Sequence, residues 1–165
     1  MDPSEDPTTS LLMRMCRSFL VGAACLGVSL TCTLALYSAM GKRPVATIFA
    51  RIVEGDPTTF NWVVSAFLTP VSETLVFACL WGLSRLLFKR SLIRRKFCFV
   101  SAMVVLGFLL HGGTPDAVGR ALAFGMLAGL FAYVAQRSGW RAGFVETAAA
   151  HIIWNVGGLA LLATL

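Results

Sequence analysis

Charge is what this sequence has least of. Charged residues fill 13% of its 165 positions, against about 25% in an average soluble domain. Only eight residues are acidic. So little polar surface cannot cover a fold of this size in water, which excludes a soluble globular domain. Cysteine motifs are missing as well. Cys16, Cys25, Cys32, Cys79 and Cys98 form no CxxC and no zinc-type spacing, so they read as small apolar residues. Gly22-Ala23-Ala24 precedes Cys25 without the leucine of a lipoprotein signal, and no lipid anchor is expected there. No serine stands in a GxSG-like setting, which argues against a rhomboid-type serine protease. Histidine is confined to two positions, His111 and His151.

What is present is long apolar runs. Hydrophobic residues make up 57% of the chain, and the mean hydropathy is +0.77. The expected fold class is therefore all-α: a polytopic integral membrane helical bundle with about five transmembrane helices, taking the lipid bilayer as its partner. The runs fall at about residues 18–40, 60–88, 96–111, 117–135 and 142–165. The first is about 23 residues, longer than the roughly 7–15 of a signal-peptide apolar region, so it reads as a membrane helix. Residues 1–17 are expected to be a disordered polar tail, and 18–59 the first helix with an interfacial loop over 41–59. The core occupies 60–165. Pro70 lies inside the second run and is expected to kink or loosen it. Gly125 and Gly129 at GxxxG spacing, and Ala148, Ala149 and Ala150, suit close helix packing.

Arg85, Lys89, Arg90, Arg94, Arg95 and Lys96 crowd between two apolar runs. Helices flank them so closely that they read as a loop obeying the positive-inside rule, not as a nucleic-acid patch. Nucleic acid is thus not expected as a partner. With alternating sides, one side collects ten basic residues and the other only Lys42, Arg43, Arg51 and Arg120. That asymmetry predicts a cytoplasmic N-terminus.

Ionisable groups inside spanning helices cost free energy and are candidates for function. Glu73 sits mid-run in PVSETLVF, three residues after Pro70. His111 closes the third run. His151 lies about ten residues into the fifth, and Asn155 follows it by four, on the same helix face. Each has a structural alternative: a protonated Glu73 bonded to a neighbouring helix, an interfacial His111, a His151–Asn155 packing pair. One acid, two histidines and an amide on three helices are also what water activation and oxyanion stabilisation require, if the bundle brings them together.

PVSETLVF with Ala78 and Cys79, FLLH ending at His111, and HIIWN over 151–155 resemble the three motifs of the CAAX-protease and bacteriocin-processing (CPBP) family of intramembrane proteases. The resemblance covers about residues 60–160. It implies an intramembrane endopeptidase, of glutamic or metallo type, in a bacterial inner membrane. Its substrates would be membrane-anchored or lipid-modified proteins. Glu73 matches the general base that activates water and His111 the histidine that assists. His151 and Asn155 match the pair that stabilises the oxyanion. A metal mechanism would use Glu73, His111 and His151 as ligands for zinc. Three positions depart from the pattern. Thr74 replaces a second glutamate and is left to support Glu73 through its hydroxyl. Ala78 replaces an arginine. Gly107 replaces a phenylalanine four before the histidine, with Phe108 three before. The departures motivate the alternative of an inactive member acting as an immunity or scaffold protein. A haem or proton carrier built on His111, His151 and Glu73 is a third reading.

Overall fold

The computed structural model describes residues 7–41, 62–112 and 115–164. The expected interfacial loop, with Lys42, Arg43 and Arg51, falls outside the described residues, as does the 1–6 stretch of the expected tail. The described residues form five long helices and no strand: α1 (Pro7–Ala39), α2 (Thr69–Leu87) entered through a wide π-helical turn (Val64–Leu68), α3 (Leu92–Leu110), α4 (Pro115–Ser138) and α5 (Trp140–Thr164). The all-α membrane bundle expected from composition is the fold.

Four segments are long and apolar enough to cross a bilayer: Leu11–Ala39, Val64–Leu87, Ala117–Ser138 and Trp140–Leu161. α3 differs because Arg94, Arg95 and Lys96 lie in its first turns. Its apolar part, 97–110, is about 21 Å long at 1.5 Å per residue, short of a hydrocarbon core of about 30 Å. Ser91 starts this helix by accepting a hydrogen bond from the Arg94 amide, the usual work of an N-cap serine.

Cross-helix contacts give the directions. Arg17 meets Glu146, a Cβ on Gly22 would meet Ala150, and one on Gly157 would meet Leu26, so α1 and α5 run parallel. Cys25 Sγ lies 3.6 Å from the Ala123 carbonyl and Ser29 donates to that of Gly119, so α4 runs against α1. Phe77 and Trp81 of α2 meet Phe99 of α3, and Phe99 meets Phe131 of α4. The bundle therefore alternates up and down. The ten basic residues of the sequence count share one end, while Arg120 lies in the other half.

α4 is the central helix. Ala123, Phe124, Leu127, Ala128 and Phe131 are buried in it, against Phe77, Trp81, Phe99, Met103 and Trp154 from its neighbours. Backbones approach closely at two glycines. A Cβ on Gly22 would lie 2.5 Å from the Ala150 carbonyl oxygen, and one on Gly119 would lie 2.7 Å from that of Ser29. The GxxxG pair divides: a Cβ on Gly125 would strike Val104 at 2.7 Å, whereas Gly129 has open space. Only Gly125 is needed for packing. Of the cysteines, Cys25 is buried as expected, but Cys16 and Cys79 are exposed.

The tail expectation is corrected over 7–17, which is helical and continues into α1. The cause is a buried carboxylate that sequence reading passed over. Glu146 on α5 is 3% exposed. It accepts from Arg14 Nε at 2.8 Å and from Arg17 through Nε and Nη2. Ser18 donates to the Glu146 backbone carbonyl, and Arg17 and Arg137 both lie over the Tyr133 ring. A helix that would otherwise fray is thereby tied to the bundle.

Two outcomes test this packing in detergent-solubilised protein by thermal unfolding. Glu146→Gln leaves two partly exposed guanidinium groups without their anion and is expected to cost about 1–3 kcal/mol, the range for hydrogen bonds to a charged group and below that for a fully buried pair; Arg14→Gln leaves Arg17 in place and should cost less. Gly22→Ala is expected to lower the midpoint, while Gly129→Ala should leave it unchanged or raise it, since alanine favours helix by up to about 1 kcal/mol over glycine.

Candidate active site

The site begins with a proline that removes a hydrogen bond. In the wide turn before α2, the Thr69 amide donates to the Val64 carbonyl, five residues back. The next bond in that pattern would run from residue 70 to the Ser65 carbonyl, and Pro70 has no N–H. A backbone carbonyl without a partner in an apolar bundle is costly. Asn155 supplies the partner: its Nδ2 donates to the Ser65 oxygen at 2.8 Å. The expected loosening at Pro70 thus takes the form of a π-helical turn, latched to α5 by the amide that the motif comparison assigned to an oxyanion.

One turn below the latch, α2 and α5 present Glu73 and His151 to each other. His151 Nε2 lies 3.3 Å from Glu73 Oε2. Both are near the middle of their spans, Glu73 about 14 Å in from Val64 at 1.5 Å per residue. The Glu73 side chain is 17% exposed and that of His151 2%. The acid is within reach of a small molecule, and the imidazole is walled in. Trp154 stacks on His151 with ring centroids 5.1 Å apart, and Phe124 packs edge-on against it at 5.5 Å. His151 Nδ1 and Thr147 Oγ1, one turn apart, are buried without a hydrogen-bond partner among the described residues. Thr74 is buried, and its hydroxyl donates to the Pro70 carbonyl at 2.6 Å. Its proton is spent on its own helix, not on Glu73 as expected.

His111 ends α3, and its ring lies edge-on to Phe124 at 5.6 Å. Phe124 therefore touches both imidazoles. It also explains Gly107: a Cβ there would lie 2.8 Å from Phe124 Cγ, so an aromatic ring from α4 covers the position next to His111. Arg120, on the second turn of α4, brings Nη1 to 3.3 Å from His111 Nδ1, and its charge acts on Glu73. Ala78 packs against the aromatic core. The only guanidinium in this half of the described bundle is that of Arg120.

Glu73, His111, His151 and Asn155 are thus brought to one region, on α2, α3 and α5, with α4 behind them. Only Glu73 and His151 touch. Among the described residues, no set of three His, Cys, Asp or Glu stands together as a preformed metal-binding group. Sequence reading missed Arg120, which was counted as a loop charge, and Phe124, which looked like any core aromatic. The signal for Arg120 was its place inside an apolar run rather than before it. Comparison of the chain with protein-family models, curated proteins and solved structures finds no match.

The latch makes a coupled prediction. Asn155→Ala is expected to cost about 1–3 kcal/mol, the penalty for a carbonyl left without a partner where the surroundings are lipid and apolar side chains. In a Pro70→Ala background, residue 70 regains an N–H for the Ser65 carbonyl, and the same Asn155→Ala change should cost less than half as much. A double-mutant cycle on unfolding midpoints measures the difference.

Proposed function

We propose that the protein is an intramembrane endopeptidase that hydrolyses a peptide bond of a membrane-anchored or lipid-modified protein, with Glu73 as the base. The observation that carries this reading is the Glu73–His151 contact of 3.3 Å at mid-span. A carboxyl and an imidazole are expensive there, and a chain that keeps them opposed in a partly open site has the parts for proton transfer. Two of the three departures from the protease motifs have counterparts on α4. Phe124 brings a ring beside His111, and Arg120 brings a cation that acts on Glu73. Thr74 has no such counterpart.

The chemistry follows from the groups present. Glu73 takes a proton from water as the water oxygen bonds to the scissile carbonyl carbon. The carbonyl electron pair moves onto oxygen. Collapse of that intermediate breaks the C–N bond, and the proton held by Glu73 passes to the departing nitrogen. His151 holds the carboxylate through Nε2 and is itself fixed between Trp154 and Phe124. We place the end with ten basic residues in the cytoplasm of a bacterial inner membrane, which opens the half with His111 and Arg120 toward the opposite face and favours exported or anchored substrates.

The experiment is cleavage of a membrane-anchored reporter by purified protein in lipid nanodiscs, with products identified by mass spectrometry. Glu73→Gln and His151→Ala are expected to lower the rate by at least about 10² while inserting normally, and a chelator should leave the wild-type rate unchanged. Processing that survives both substitutions removes the reading. Loss on chelation, restored by zinc, would replace it with a metal mechanism.

A further inference from the structure

α1 and α5 leave a groove between them with a volume of about 730 Å³. Leu12, Met15 and Phe19 line it from α1, and Val145, Ala149 and Ile153 from α5. At about 100° per residue, these α5 positions lie off the helix face that carries His151 and Asn155, so the groove is separate from the candidate active site. It runs about 12 Å along the helices from Val145 to Ile153 at 1.5 Å per residue, parallel to the acyl chains of a bilayer.

The groove carries charge as well. Arg14 and Glu146 both line it, and Arg17 joins Arg14 on the same carboxylate. Two guanidinium groups on one carboxylate leave a positive charge uncompensated. Glu146 is the only carboxylate at this end of the bundle among the described residues. Its bonds occupy one donor of Arg14 and two of Arg17, out of five on each guanidinium. The arginine side chains stay 39% and 34% exposed, against 4% for Glu146. The cluster is thus closed on its acidic side and open on its cationic side. Arg137 shares the Tyr133 ring with Arg17. Arg141 stands one turn before Val145, over the ring of the exposed Trp140, and such a tryptophan marks the membrane boundary. Glu146 follows Trp140 by six residues, about 9 Å inward, a depth from which arginines snorkel to the headgroups.

We propose that the α1–α5 groove is a binding site for an anionic phospholipid, with the phosphate on Arg14 and Arg17 and an acyl chain along Met15, Phe19, Ala149 and Ile153. Guanidinium groups take phosphate oxygens in pairs, and basic pockets between spanning helices recognise anionic headgroups. A zwitterionic lipid would set its own cation against the uncompensated charge. The site does not depend on the hydrolase reading.

The test uses the full chain in mild detergent, with phosphatidylglycerol or phosphatidylcholine of identical acyl chains added, read by native mass spectrometry and thermal unfolding. Phosphatidylglycerol should stay bound as a single adduct and raise the unfolding midpoint with dose; phosphatidylcholine should do neither. Arg14→Gln, which keeps the Arg17–Glu146 pair, should lose about half or more of the lipid-dependent shift relative to its own lipid-free midpoint. Ala149→Leu, which fills the groove and leaves the arginines, should lose it too. Arg90→Gln, an exposed cation outside the groove at the same end, should keep it. Equal shifts with the two lipids, or a phosphatidylglycerol shift that survives both groove substitutions or falls equally with Arg90→Gln, overturn the proposal. So does the same shift with inorganic phosphate alone, or a protein dimer in place of the lipid adduct.

Discussion

Inside a bilayer every backbone carbonyl and every polar side chain has to find its partner within the protein, and this bundle is organised by that requirement. Pro70 deletes one donor, and Asn155 from another helix replaces it. Glu146 enters the bundle, and Arg14 and Arg17 come to it. Ser18 and Ser29 donate to carbonyls of neighbouring helices. Each of these contacts fixes the rotation and height of one helix against another, which apolar packing alone specifies weakly when lipid is as apolar as leucine.

α5 gathers most of them. Its residues 146, 151 and 155 are five and then four positions apart. At about 100° per residue, His151 and Asn155 share a face while Glu146 points elsewhere. The structure uses both directions, since Glu146 meets α1 and the other two meet α2. The register that joins α1 to α5 near one end and the register that joins α2 to α5 at mid-depth are therefore set by the same helix. Asn155 and His151 are one turn apart, so the contact that repairs the proline turn also sets the height at which Glu73 faces the imidazole. α4 supplies the wall behind them, with Phe124 touching both histidines and Arg120 closing the far side of His111.

Much of this was legible in the sequence. The helix count, the alternation of direction and the clustering of cations at one end followed from composition and run length, and the cost of polar groups in lipid is what marked Glu73, His111, His151 and Asn155 as candidates. Glu146 did not stand out, because in FVETAAAH it sits near a run boundary and resembles an interfacial charge; its burial depends on two arginines almost 130 residues away in sequence. Arg120 was hidden for the mirror-image reason. An arginine following HGGTPD looks like part of the break, whereas the helix has already begun at Pro115.

By itself the sequence determined the solvent and the inventory. Transfer to lipid is favourable or costly residue by residue, so 57% apolar residues and a handful of buried polar ones settle a membrane bundle and name the candidates without any knowledge of contacts. Tertiary structure alone decided the pairings: His151 with Glu73, Asn155 with the Ser65 carbonyl, Arg120 with His111, and Thr74 with its own helix. The physical reason is that a hydrogen bond is made or lost within a few tenths of an ångström and a few tens of degrees. Those are fixed by the rotation and height of helices that the chain brings together only after long separations, and no local pattern of residues encodes them.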